Sequence, residues 1–276
     1  VFTRENDISF VTPAPTEVGA CIIGPTVKGP VEIPTTVTSY NEYVRVFGDT
    51  FESASANQEF LTSIAAKNYF SQGGNSLLVA RVVTGSFTAA SSTHVSASEA
   101  ASVQPFQLET IGKGAIYNNH DGTSASSISA SSDSSLVLGT SDNLRWEISN
   151  VSEAKGTFTV SVRRGDDSHK NKVILETFSN LSLDPNADNF IQKLVGDNQL
   201  SKASDSAGVT YIKASGSYSN SSNYIRIASV PNATPDYLAN DGSTINSGGT
   251  LSIPYNNYLP TAQSGSFYNA TGDTLA

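Results

Sequence analysis

GPTVKGPVEIPTTVTSYNEYVRVFG (residues 24–48), followed one helix later by GGNSLLVARV (residues 73–82), is the stretch whose reading decides the fold. Gly24 and Pro25 close a short apolar run, residues 20–23, with the character of a strand buried on both faces. Residues 31–38 are extended and contain Pro34, which confines them to a sheet edge or a loop. Ser39 and Glu42 then form a capping box, Tyr40, Tyr43, Val44 and Phe47 share one helical face, and Gly48 supplies the stop. The spacing predicts a second helix over residues 54–71, with Phe60, Leu61, Ile64, Ala65, Tyr69 and Phe70 toward the core. SLLVARVV (residues 76–83) is almost continuously apolar, and two buried strands joined through helices imply parallel pairing with a right-handed crossover. Arg81 interrupts that strand: on a central strand its guanidinium must be paired or reach the strand end, whereas at an edge the demand disappears.

Outward from this unit, residues 1–15 alternate weakly and end in Pro13 and Pro15, the pattern of an extended arm. From Gly85 to about Asp142 the composition turns to Ser, Ala and Thr, with strand candidates at residues 106–111 and 135–139. Clear period-2 alternation resumes in LRWEIS (144–149) and TFTVSVR (157–163), and KVILETF (172–178) is a hairpin partner across the polar RGDDSHKN loop. A helix is expected from Asp184 as N-cap and Pro185 at its first position, through Phe190, Ile191, Leu194 and Val195, to Gly196. NYIRIASV (223–230) is a further strand, and the Asn-, Gly-, Ser- and Tyr-rich residues beyond Pro231 have the look of loop or linker. The fold class that follows is an α/β (α+β) core with a parallel or mixed sheet, plus an inserted β-rich domain of sandwich or barrel type. Its expected divisions are an arm (1–15), the core portion (16–84), the insert (85–235) and a linker (236–276).

With 276 residues there is room for two cores, and the lone Cys21 excludes an internal disulfide; its apolar neighbours suggest a buried structural thiol. A net charge of −9 with scattered Lys and Arg argues against direct nucleic-acid binding, and no run is long enough for stable membrane insertion. The chain contains no Met and begins at Val1, which favours part of a longer translated product.

Enzyme signatures fail one by one. GACIIGPT (19–26) has the glycine spacing of a phosphate loop, but Pro25 occupies the position of the essential Lys. IGKGAIYNN (111–119) lacks the strand-to-helix context of a dinucleotide fingerprint. His94, His120 and His169 are far apart in polar surroundings, so exposed surface histidines are the expectation; no catalytic residue, cofactor or metal is called. Arg163, Arg164, Asp166 and Asp167 crowd a hairpin tip, where they form either a solvated turn with weak local ion pairs or a contact between subunits of a polymer.

The order of TRENDIS (3–9), GPTVKGPVEIPTTVTSYNEYVRVFG, YFSQGGNSLLVARV (69–82) and LETFSNLSLDP (175–185) resembles the contractile tail sheath proteins of bacteriophages and related injection machines. Such proteins commonly carry a Gly-Pro-x-x-x-Gly-Pro turn, a Thr-Ser-Tyr capped helix ending in Phe-Gly, and a Gly-Gly turn before an apolar strand ending Arg-Val. IGKGAIYNN departs from the usual Gly-x-x-Gly-Asn pattern, and the resemblance implies a carboxy-terminal portion that these 276 residues do not match. The resemblance implies a non-enzymatic virion component, assembled in the host cytoplasm into stacked hexameric rings and a helical polymer. Its partners would be further copies of itself, the tail tube protein, and baseplate and neck or terminator proteins. Contraction would drive the tube through the host envelope. The inter-subunit strand donor in this piece would be Val1, Phe2, Thr3, Arg4, Glu5, Asn6, Asp7, Ile8, Ser9, Phe10 and Val11. Two readings from other classes stay open: a secreted β-rich binding module for carbohydrate or protein, stacking ligand on Tyr211, Tyr218, Tyr224, Tyr255 and Tyr258, and a hydrolase using Asp or Glu pairs.

Overall fold

The computed structural model describes residues 19–53, 56–92, 95–97, 103–114, 139–248, 253–268 and 270. It is a mixed α+β fold, mostly sheet with few helices, built around two separate hydrophobic clusters.

The first cluster lies under the opening stretch. Strand β1 (Ala20–Gly24) pairs in parallel with the central strand of a three-stranded sheet, and β2 (Thr35–Val37) pairs antiparallel on that strand's other side. Helix α1 (Tyr40–Phe47) starts where the capping box places it, with Ser39 Oγ accepting from the Glu42 amide at 3.2 Å. The Glu42 carboxylate reaches one residue further back than a simple box requires, to the amide and hydroxyl of Thr38, each at 2.8 Å. Those two bonds, the backbone one first, hold the Glu42 carboxyl below its ordinary pKa. Gly48, at φ +76°, ends the helix in a conformation that L side chains resist.

The segment after α1 departs from expectation. A hairpin, β3 (Thr50–Ser53) and β4 (Ala56–Glu59), replaces the first part of the second helix, and α2 runs only over Leu61–Ser71. The rings of Phe51 and Phe60, 4.7 Å apart, tie the hairpin to the start of α2. The helix is also rolled relative to its apolar pattern. Thr62, Ser63 and Ala66 are buried, while Leu61 is 81% exposed and Ile64 is exposed as well. Two polar contacts set this roll: the Tyr43 hydroxyl meets Ser63 Oγ at 3.2 Å, and Thr62 Oγ1 donates to the Pro25 carbonyl. Gly24 makes the second approach possible, because a Cβ there would stand 2.6 Å from the Thr62 methyl. Strand β5 (Leu77–Arg81) completes the unit in register with β1 from Ala20 opposite Leu77 to Gly24 opposite Arg81. Val37, Tyr43, Phe47, Ala66, Leu77 and Val79 form its core.

The second cluster is larger and underlies a seven-stranded antiparallel sheet. Its elements, in chain order, are β6 (Ser91–Ser92), β7 (Gln107–Thr110), β8 (Leu144–Ser152), β9 (Thr157–Arg164), β10 (Ile174–Ser182), the short helix α3 (Ile191–Val195), the hairpin β11 (Gln199–Ser204) and β12 (Thr210–Ser215), β13 (Ile225–Ser229), the small pair β14 (Ser247–Gly248) and β15 (Ile253–Pro254), and β16 (Gln263–Tyr268). The sheet order is β10-β9-β8-β16-β6-β7-β13, with β11 and β12 forming a separate ladder. The alternation in residues 144–149 is borne out, with Leu144, Trp146 and Ile148 all buried. The rings of Phe106 and Phe158 stack at 5.4 Å within this core. The expected strand at 135–139 lies outside the described residues except for Gly139.

Two expectations here need correction. The helix expected from Asp184 begins only at Ile191; Asp184 caps a turn instead, its Oδ1 accepting from the Asn186 amide at 2.9 Å. The residues beyond Pro231 are not a loose linker. Strand β16 sits between β8 and β6, and Tyr237, Tyr255, Tyr258, Leu259 and Phe267 are buried in the core. Phe267→Ala is therefore expected to cost about 3–5 kcal/mol of stability. Chemical denaturation followed by the fluorescence of Trp146, whose indole donates to the Ser266 carbonyl, reads this directly.

Candidate functional site

The three-stranded sheet has one covered and one bare face. Ala20, Ile22, Leu77, Val79 and Val37 point toward α1 and α2. The alternate positions, Cys21 and Ile23 on β1 with Leu78 and Ala80 on β5, share the opposite face, and the period of two carries that face on to Val82. Ile23 is 69% exposed and Val82 49%, and both Cys21 and Leu78 are exposed. The expectation of a strand buried on both faces, and of a buried Cys21 thiol, is thus corrected. The apolar run is there, but nothing among the described residues covers its second side. Strand β1 is also the edge of its sheet, with no ladder partner on its outer side among the described residues. Covering side chains of this kind contributes about 1 kcal/mol or more each, so the bare face is a substantial unused source of binding energy.

Arg81 sits at the end of the central strand and is completely buried. Its Nη1 donates to the carbonyls of Gly29 at 2.8 Å and Lys113 at 3.2 Å, and the guanidinium lies 5.7 Å from the centre of the Phe87 ring. Among the described residues no carboxylate pairs with it, and Nε and Nη2 have no hydrogen-bond partner. Burial without a counter-charge pushes its pKa down to about 10.

The hairpin-tip residues divide into two pairs. Arg163 and Asp167 turn inward, and both are buried. Arg163 grips Asp167 with two bonds of 2.7 and 2.8 Å, and Arg145 Nη1 adds a third at 3.0 Å. Arg163 Nη1 also reaches Glu147 at 2.9 Å, and Glu147 takes Lys172 at 2.6 Å. The Val173 amide donates to Asp167 Oδ2, which pins the far side of the loop. The reading of a wholly solvated turn is corrected for these two residues; Arg164 and Asp166 form the solvent-facing pair of the turn. His169 is exposed, with Nδ1 3.5 Å from Arg163 Nη1. His94, His120 and the arm residues 1–11 lie outside the described residues.

Among the described residues no cluster of His, Cys, Asp or Glu could hold a metal ion, and no helix is long and apolar enough to cross a membrane. The five tyrosines that a carbohydrate-binding surface would need do not share one: Tyr255 and Tyr258 are core residues, Tyr218 and Tyr224 pack against the core, and Tyr211 stands exposed on β12. Sequence reading missed both the bare sheet face and the roll of α2. The continuous hydrophobicity of SLLVARVV was the available signal, since it demands a cover on both sides.

Solved structures similar to this chain include two sheath tail proteins. One is a sheath tail protein from Desulfitobacterium hafniense, 12% identical with a TM-score of 0.32, the match covering 88% of this chain and 40% of that one. The other is a sheath tail protein from Listeria innocua, 8% identical with a TM-score of 0.32, covering 78% and 35% respectively. The chain therefore spans less than half the length of either structure. No protein-family model matches the sequence, and no curated protein matches it.

The ion cluster generates a sharp contrast at the hairpin tip. Asp167→Asn leaves two buried guanidinium groups undercompensated and is expected to cost about 3–5 kcal/mol, whereas Asp166→Asn costs less than about 1 kcal/mol. Urea denaturation of the two variants side by side checks this.

Proposed function

We propose that the chain is a structural subunit of a contractile tail sheath, polymerising with copies of itself as stacked hexameric rings around a tail tube and contracting to drive that tube through a host envelope. The single observation that carries this reading is the bare, apolar face and open β1 edge of the three-stranded sheet. It falls within the stretch whose motif order resembles the sheath family. A unit whose core cluster holds only six buried apolar side chains among the described residues gains stability by docking.

The division of labour in this reading assigns residues 1–15 to an arm, 16–84 to the assembling core, and 85–235, together with β16 and the aromatic residues that pack with it, to an outer insert. The arm residues Val1 to Val11 donate a strand to a neighbouring subunit, a contact that propagates because donor and acceptor surfaces differ. The exposed pair Arg164 and Asp166 is a candidate subunit contact, held out by the buried Arg163–Asp167 pair behind it. Tube, baseplate and neck or terminator proteins are the remaining partners, and the virion is the location.

Negative-stain imaging and sedimentation velocity test the reading. The protein is expected to form tubes or rings, and removing residues 1–11 should leave it folded but block the polymer. Leu78→Glu, on the bare face, should do the same while leaving the far-ultraviolet circular dichroism spectrum unchanged. A dispersed monomer at all concentrations, or polymers that tolerate both changes, would count against it.

A further inference from the structure

A cavity of about 560 Å³ lies between the two units, walled on one side by the loop after β1 and by α1, and on the other by β11, β12 and the end of β7. Part of its lining is apolar, including Ile33, Val46 and Leu200. Its charged groups are unbalanced: Lys113, Arg45 and Arg226 face a single lining carboxylate, Glu42. That excess is notable in a chain whose net charge is −9.

The three cations differ in how committed they are. Arg226 is already paired with Glu109. Arg45 meets Glu42 only at 3.4 Å, and the other oxygen of that carboxylate is taken by Thr38. The Lys113 ammonium forms no ion pair among the described residues. Directly behind the wall stands Arg81, bonded through Nη1 to the carbonyls of Gly29 and Lys113, which are themselves lining residues. Two of its nitrogens are left without acceptors, so its positive charge is uncompensated in a low-dielectric wall. A concave site backed by unneutralised cations concentrates negative charge.

We infer that this cavity binds a small molecule carrying a carboxylate or phosphate group, with the oxyanion at Lys113 and an apolar body against Ile33, Val46 and Leu200. The site is independent of polymer formation, since none of these groups lies on the bare sheet face. Binding joins the two units through one ligand and offsets the buried charge of Arg81.

Isothermal titration of the whole chain with inorganic phosphate and, separately, with benzoate tests the inference, with chloride at matched ionic strength as the baseline. Saturable binding of either probe is expected, weakened roughly tenfold or more in Lys113→Gln, as befits loss of a charge-assisted contact. It should be unchanged in Lys170→Gln, a substitution on the exposed β9–β10 loop. Binding of phosphate alone identifies a phosphate ligand, and binding of benzoate alone identifies an apolar carboxylate. Absence of saturable binding to both probes, or equal affinity in Lys113→Gln and wild type, overturns the inference. Neither result bears on whether the chain polymerises.

Discussion

Strand β5 carries hydrophobic side chains on both of its faces, and only the face formed by Leu77 and Val79 is covered by helices. Leu78 and Ala80, together with Cys21 and Ile23 of β1, are on the opposite face, and β1 is an edge strand with no outer partner among the described residues. Parallel sheets are stable when both faces are shielded. The rest of the small unit follows from this constraint. Its core is confined to one side, α2 is anchored by polar contacts from Thr62 and Ser63, and Leu61 is left outside. An element stabilised on one side only is suited to work as half of an interface.

The β-rich unit is built on the opposite principle. Its core draws on residues from Ala90 to Ala270, and residues distant in sequence close it, as where Trp146 donates to the Ser266 carbonyl. The loop between β9 and β10 is fixed from within by Asp167, which binds two arginines and the Val173 amide. Such a buried ionic cluster specifies loop geometry more than it adds net stability. The consequence is a unit with a single large core beside one whose sheet is uncovered on one face among the described residues. Between the two lies a cationic cleft that draws its excess charge from Lys113 and Arg81.

What could be read in the sequence was what short-range physics controls. Ser39 and Glu42 located α1, Gly48 ended it, and alternation in residues 144–163 located β8 and β9, because capping and period-2 patterning act within a few residues. The roll of α2 was hidden, since it depends on Tyr43, Pro25 and Gly24 meeting residues distant in sequence. The integration of β16 was equally hidden: its aromatic residues are spaced irregularly among Asn, Gly and Ser, and their burial depends on strands more than a hundred residues earlier. Of the site, the apolar run was visible, but its bareness was not. The inward turn of Arg163 and Asp167 followed from Arg145 and Glu147 on the adjacent strand, a register that loop composition does not reveal.

The central claim is that the exposed face and edge of the three-stranded sheet become buried when copies of the chain associate. Hydrogen–deuterium exchange at the amides of β1, followed as protein concentration rises through the assembly threshold, addresses it most directly. The account predicts that the outward-facing amides of Cys21 and Ile23 pass from fast to strongly slowed exchange in step with polymer formation, while β9 stays protected throughout. Polymers that form with β1 exchange unchanged would contradict it.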